Sequence, residues 1–223
     1  MADQSIVIVG AGGGMGYALA KRFAAGGLRV GLVARQQPTL ERLAGQLAEA
    51  GVEATTAVGD ASYSGSIRSA LDKLTEQLGV PQVLVYNVAA VEPGRPSTLD
   101  SVRLLASLAS NAGGFLDTVQ QVLPGMRKRR SGTILLTGSG VALNPWVDGA
   151  ALSAGKAAQR SLLRALAVEV ADEGIHAATV TIKGVIGSSA EFAPERIAEA
   201  FWDVHVQAKK DWEVERIYTG SNP

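Results

Sequence analysis

The run Ser5-Ile6-Val7-Ile8-Val9 passes without interruption into Gly10-Ala11-Gly12-Gly13-Gly14-Met15-Gly16, and that loop opens straight into the helical pattern Tyr17-Ala18-Leu19-Ala20-Lys21-Arg22-Phe23. An apolar, β-branched stretch ending in glycines and followed by a helix is a strand-turn-helix unit. Residues without Cβ let backbone N–H groups approach phosphate oxygens at the positive end of the helix, so the loop suits a pyrophosphate. The same glycine spacing also describes a tight turn that holds nothing, and the rest of the chain decides between the two.

Downstream, apolar runs alternate with helical patterns. Leu28 to Ala34 reads as a buried strand, Pro38 to Ala50 as a helix, Val52 to Val58 as a third strand, Tyr63 to Leu78 as a helix with Ile67, Leu71 and Leu74 on one face, and Val83 to Tyr86 as a fourth strand. Two helices follow, Leu99 to Ser110 and Gly114 to Arg130, then a strand from Thr133 to Thr137. A long helix from Ala150 to Glu173 stops near Gly174, Ile175 to Ile182 forms a strand, Pro194 to Lys209 a last helix, and Val214 to Tyr218 a short final strand. Strands that alternate with helices predict a parallel sheet covered on both faces, a doubly wound fold whose ligand sits at the carboxyl ends of the strands. At 223 residues, with no low-complexity linker, residues 1–223 are expected to form a single domain.

Composition narrows the partners. Lysine plus arginine equals aspartate plus glutamate, 21 each, which gives no electrostatic reason to expect nucleic acid or an anionic membrane. A small-molecule substrate is the expected partner. The start, Met1-Ala2-Asp3-Gln4, has no basic segment and the first apolar run is five residues, so neither a signal peptide nor a membrane span is expected and a cytoplasmic location is consistent. The absence of cysteine excludes disulfides and thiolate catalysis. With His176 and His205 as its only histidines, the chain is not expected to hold a histidine-rich metal site.

The strand ends carry the chemistry. The carboxylate that grips an unmodified ribose 2′-hydroxyl normally ends the second strand, but Ala34 stands there and Arg35 follows. A 2′-phosphate is then no longer repelled and pairs with the guanidinium, which favours NADP(H) over NAD(H). The competing reading is an exposed arginine at a strand end. Asp60-Ala61 ends the third strand, where Asp60 either contacts an adenine or caps a turn. Tyr86-Asn87-Val88-Ala89 ends the fourth.

Taken together these residues resemble the short-chain dehydrogenase/reductase family over nearly the full chain. Gly10, Gly14 and Gly16, with Met15 between them, look like its glycine fingerprint, Asp60 like its adenine-side aspartate, and Tyr86-Asn87-Val88-Ala89 like a degraded Asn-Asn-Ala-Gly segment. Asn111 matches its helix asparagine, Ser139 its catalytic serine, and Lys156 the lysine of its Tyr-x-x-x-Lys motif. The resemblance implies a Rossmann-like sheet and a nicotinamide cofactor bound by Gly10, Gly14, Met15, Gly16, Arg35, Asp60, Ala61, Asn87, Ala89 and Lys156. It also implies catalysis by Ser139 and Lys156, with Asn111 carrying a water relay to the lysine. Relatives build dimers and tetramers through the helices bearing Asn111 and Lys156, and the small residues Ala157, Ser161, Ala165 and Ala167 suit such packing, so a homodimer or homotetramer is expected; packing on the sheet is the alternative.

Two departures bear on the chemistry. Four residues before Lys156 the family carries the tyrosine that exchanges the carbonyl proton, and this chain has Leu152. No tyrosine lies between Asn87 and Gln207 to replace it. The family's Pro-Gly after the sixth strand reads Lys183-Gly184, which puts that loop's contact with the nicotinamide in doubt. Loss of a general acid costs about 10² to 10⁴ in rate, while holding reactants in line supplies effective molarities of about 10⁵ to 10⁸ M, so Leu152 does not by itself abolish catalysis. Asp148, Glu92, Tyr86 and His205 are candidate substitute acids, each with a structural or solvated alternative. Trp146 either lines the substrate pocket or plugs a core gap. Ser139, Lys156 and Asn111 each also have a plain reading: a strand-end hydroxyl, a surface lysine, and a cap for the helix starting near Gly114. The chain is therefore read as an NADP(H)-dependent oxidoreductase acting on a small organic substrate, with proton transfer altered either through a substitute acid or through a substrate, such as an iminium ion or a conjugated alkene, that needs no enzymic proton. The alternatives are a non-catalytic nucleotide sensor or assembly subunit, and a lyase or isomerase reusing the pocket.

Overall fold

A computed structural model describes residues 4–220. Seven parallel strands form one sheet: β1 (Ser5–Val9), β2 (Arg29–Ala34), β3 (Ala54–Val58), β4 (Val83–Tyr86), β5 (Gly132–Ser139), β6 (Ile175–Ile182) and β7 (Glu215–Tyr218), in spatial order β3-β2-β1-β4-β5-β6-β7. The helices are α1 (Met15–Ala25), α2 (Gln37–Glu49), α3 (Ser64–Leu78), α4 (Ser101–Leu108), α5 (Gly114–Arg129), α6 (Ala150–Val170) and α7 (Pro194–His205). The doubly wound sheet expected from the alternation is the one observed.

Alternation along β1 shows how the sheet divides the core. Ile6 and Ile8 join Leu19, Phe23, Leu43 and Phe201 on the face covered by α1, α2 and α7, while Val7 and Val9 join Ile67, Leu71, Phe115 and Leu163 on the face covered by α3, α5 and α6. Successive side chains leave a strand on opposite sides, and burying each large aliphatic is worth about 1.5–3 kcal/mol, so a one-residue slip of β1 would exchange two whole sets of contacts. Winding runs outward from β1 to β3 and resumes on the other side at β4. The carboxyl ends of β1 and β4 thus flank the reversal point, where a crevice for a ligand opens. No helix among the described residues is long and apolar enough to cross a membrane.

Most boundaries shift by one or two residues from expectation, and three differences have a structural cause. The stretches 99–110 and 114–130 are not separate helices: a wide π turn, Ala109–Gly113, joins α4 to α5. The helix expected to end at Glu173 turns into a 3₁₀ segment after Val170, and the left-handed Gly174 (φ 77°) then ends it. The last helix stops at His205 rather than Lys209, because Gln207 is held by its neighbours in a turn: its amide pairs with Glu213, and its carbonyl accepts from the Trp212 indole.

His205 closes α7 at the amino end of the sheet. Its Nδ1 lies 3.0 Å from the Thr133 hydroxyl, and its ring packs against Phe23 and Trp202. Burial, with a smaller contribution from His176, pushes its pKa down to about 4. His176, stacked on Trp212 at 4.7 Å, is likewise lowered by burial. Both histidines fold neutral, so between their usual 6.5 and the lowered values the unfolded chain binds more protons than the folded one. Stability is therefore lost as pH falls from 6.5 toward 4. Urea unfolding across that window should show the decline, and His205→Gln should make it shallower.

Candidate active site

Two adjoining cavities lie along the carboxyl edge of the sheet. One, of about 370 Å³, is bordered by Gly10, Arg35, Thr39, Asp60, Asn87 and Ala90 among others. The second, of about 310 Å³, is bordered by Met15, Ser139, Leu152, Lys156, Ile182 and Ile186. Asn87 and Ala89 face both, so the end of β4 is the shared wall.

The glycine loop between β1 and α1 has two kinds of glycine. Gly10 sits at φ +84°, and a Cβ there would lie 2.8 Å from the Val88 nitrogen; a Cβ on Gly16 would lie 3.0 Å from the Ala11 Cα. Those two are needed for packing. Around Gly12 and Gly14 a Cβ would meet nothing within 4 Å. Their bare backbone faces open space at the start of α1, where Gly14 provides no side-chain cap and the first turn has no acidic residue. An uncapped helix start beneath a bare loop fits a diphosphate.

At the nucleoside end, Arg35 and Thr39 border the cavity together with Gln36, which the sequence did not single out. Asp60 caps a turn, its Oδ1 accepting from the Ser62 amide and hydroxyl at 2.8 and 2.7 Å, and it also borders the cavity. Those bonds, chiefly the hydroxyl one, hold its carboxyl below the ordinary range, with Arg35 adding a smaller pull. Ala61 borders the same cavity.

In the second cavity Lys156 is the one titratable residue among the bordering side chains. It is buried, and its Nζ donates to the carbonyls of Val88 (2.8 Å) and Thr137 (3.0 Å). With no carboxylate beside it, burial pulls its pKa from 10.5 down to about 7. It is not the surface lysine of the plain reading. Thr137 in turn donates to Asn87 Oδ1 at 2.8 Å, and Asn87 Nδ2 donates to the Gly10 carbonyl at 2.9 Å, so one network ties the ends of β1, β4 and β5 to α6. Ser139, at the end of β5, faces the cavity and accepts from the Val141 amide at 3.4 Å. Leu152, one helical turn before Lys156, supplies an apolar wall.

Asn111 is neither a helix cap nor a wall of either cavity. It lies fully buried in the π turn, where its Oδ1 accepts from Ala90 N and its Nδ2 donates to Ala90 O and to Ser107. Its carbonyl accepts from Gln159 Nε2 at 2.5 Å, a partner the sequence did not reveal. Asn111 thus positions the Ala89-Ala90 backbone beside the cavities.

The substitute acids do not assemble. Tyr86 is buried edge-on against Phe115, donates to the Ser110 carbonyl and has its pKa raised by burial. Asp148 pairs with Arg95 at 2.8 Å and Glu92 with Arg103 at 3.4 Å, all four partly exposed. His205 sits at the opposite end of the sheet, beside the first residues of β5. Trp146 borders neither of these two cavities and does not plug the core; it is 45% exposed and rests on Gly149. Lys183 is exposed, whereas Gly184 borders the second cavity with Phe192 packed where its Cβ would be. On α6, Ala157, Ser161 and Ala165 form an exposed stripe, but Ala167 belongs to the core.

Comparison with known proteins gives a consistent answer. Residues 4–192 match the short chain dehydrogenase family. An oxidoreductase of Listeria monocytogenes is 31% identical over 181 residues, 81% of this chain and 73% of the relative. A Streptomyces coelicolor protein named as a ketoacyl reductase is 31% identical over 176 residues, 78% of this chain and 67% of the relative. Among solved structures, a metagenomic short-chain oxidoreductase in complex with NADP is 27% identical with a TM-score of 0.88, covering 97% of this chain and 96% of that one. A single-substitution variant of actinorhodin polyketide ketoreductase with NADPH is 25% identical with a TM-score of 0.89, covering 99% and 97%.

The two classes of glycine separate by experiment. Gly10→Ala should lower the urea unfolding free energy by about 1–3 kcal/mol, since it combines left-handed strain with a backbone clash. Gly12→Ala should stay within about 0.5 kcal/mol of wild type.

Proposed function

Because the chain belongs to the short chain dehydrogenase family, we propose that it is an NADP(H)-dependent oxidoreductase of atypical proton chemistry, acting on a small, largely apolar organic substrate. The observation that carries this reading is the continuity of the two cavities through Asn87 and Ala89, with an uncapped glycine loop and Arg35 along one and Ser139 and Lys156 along the other. The NADP and NADPH bound to the two solved relatives support the choice of cofactor class.

In this reading the glycine loop and the start of α1 hold the diphosphate, Asp60 and Ala61 border the adenine, and Arg35 pairs with a 2′-phosphate. Asn87 and Ala89 support the middle of the cofactor, and Lys156 and Ser139 face its reactive end. The chemistry that a nicotinamide would supply there is hydride transfer. Ser139 would offer a hydroxyl to a substrate oxygen, and Lys156 would hold the ribose. Lys156 Nζ gives N–H groups to two carbonyls, and its side chain borders the second cavity.

Leu152 stands where the family places its proton-exchanging tyrosine, and its apolar side chain neither gives nor takes a proton. Substrates that need no proton from the enzyme at that point, an iminium ion or a conjugated alkene protonated by water, suit this wall better than a ketone. Leu152 is also what favours a second reading, a nucleotide-binding subunit without turnover. We propose further that the exposed stripe Ala157-Ser161-Ala165 on α6 forms part of a homo-oligomer contact.

Fluorescence titration should show NADPH binding about tenfold or more tighter than NADH, equivalent to about 1.4 kcal/mol for the added phosphate contact. Absorbance at the nicotinamide band, followed with ketones, imines and enones, should reveal turnover on the latter two classes. Leu152→Tyr should raise ketone reduction by about 10²-fold or more. NADPH binding with no turnover on any class, and no gain from Leu152→Tyr, would establish the non-catalytic reading instead.

A further inference from the structure

Arg42 lies in α2, seven residues beyond Arg35, between the buried Leu40 and Leu43. Those two leucines fix the helix against the sheet, and Arg42 extends away from them to the glycine loop. An ideal Cβ on Gly13 would stand 3.0 Å from Arg42 Nη1 and 3.9 Å from its Cζ, so the guanidinium rests against backbone that only glycine leaves bare. One turn earlier on the same helix, Thr39 borders the nucleoside cavity together with Arg35 and Gln36. Arg42 has no hydrogen-bond or carboxylate partner among the described residues, and the first turn of α2 contains no acidic side chain. A planar cation with five donors is thus left unneutralised between the glycine loop and the start of α2.

We propose that Arg42 is a specificity-determining residue, the second arm of a two-arginine clamp on the phosphate monoester of the adenosine ribose, and that Gly13 is what lets it reach. The proposal rests on the NADP(H) reading above. The charge balance supports two arms rather than one: a phosphate monoester carries about −1.5 to −2 at neutral pH, so Arg35 alone leaves it under-neutralised. Arg35 approaches from the end of β2 and Arg42 from the middle of α2, so the phosphate is met from two directions by groups suited to bidentate contacts. The diphosphate, at the start of α1, is a separate anion and does not distinguish the two cofactors.

The test is a set of fluorescence and calorimetric titrations of wild type, Arg42→Gln and Arg42→Lys with NADPH, NADH and adenosine 2′,5′-bisphosphate, each variant first shown to be folded by its circular dichroism melt. Arg42→Gln should weaken NADPH and the bisphosphate about tenfold while leaving NADH within about twofold, and Arg42→Lys should fall between, because it keeps the charge and loses the fork. Equal weakening of NADPH and NADH would put Arg42 on the diphosphate, and an unchanged NADPH affinity would remove it from the site; either result overturns the proposal while leaving the cofactor reading intact. If wild type binds neither nicotinamide nucleotide, the cofactor reading fails and the clamp fails with it.

Discussion

The carboxyl edge of the sheet is held together by one buried nitrogen. Lys156 Nζ reaches from α6 to the carbonyl of Val88, just past β4, and to that of Thr137 within β5, and so ties two neighbouring strand ends and the helix above them. Hydrogen bonds of this kind to a charged group are worth about 1.5–3 kcal/mol each, and removing the donor would leave two carbonyls without it. From Thr137 the network passes to Asn87 and on to the Gly10 carbonyl, which ties the glycine loop to the carboxyl ends of β4 and β5. Asn111 secures the next residues of the same segment through Ala90. The shape of the shared wall is therefore fixed by polar groups from three elements.

This arrangement sets the electrostatic character of the site. A lysine held by neutral carbonyls, without a carboxylate, is easily deprotonated, and its pKa near 7 follows from burial. Leu152 adds an apolar side chain to the same cavity. The second cavity thus sets a readily exchanged proton among the polar side chains of Asn87, Thr137 and Ser139 and the apolar ones of Met15, Leu152, Ile182 and Ile186.

Much of this was legible in the sequence. Each strand announced itself as a short apolar run because parallel strands buried on both faces have no polar side to show, and the order of motifs placed Ser139, Lys156 and Asn87 at one edge. What the sequence hid were relations between distant segments. The π turn has no periodic signature in Ala109-Ser110-Asn111-Ala112-Gly113, so the burial of Asn111 as a brace within it was not visible. His205 was a candidate acid on the last helix; the register of α7 carries it to the amino end of β5. Arg42 gave no local sign of its role, since its position against Gly13 depends on how α2 folds back over the loop.

The wide turn also separates two jobs within one continuous rod. An inserted residue rotates every following side chain by about 100° around the axis, so Ser101–Leu108 and Gly114–Arg129 orient their stripes independently although a single backbone runs through both. Val102 and Leu105 stand 74% and 62% exposed on the first segment, while Phe115, Val119 and Met126 are sealed in the second. The outward surface of α4 can consequently drift in composition, and with it whatever the molecule touches there, while the interior half of the same rod stays unchanged.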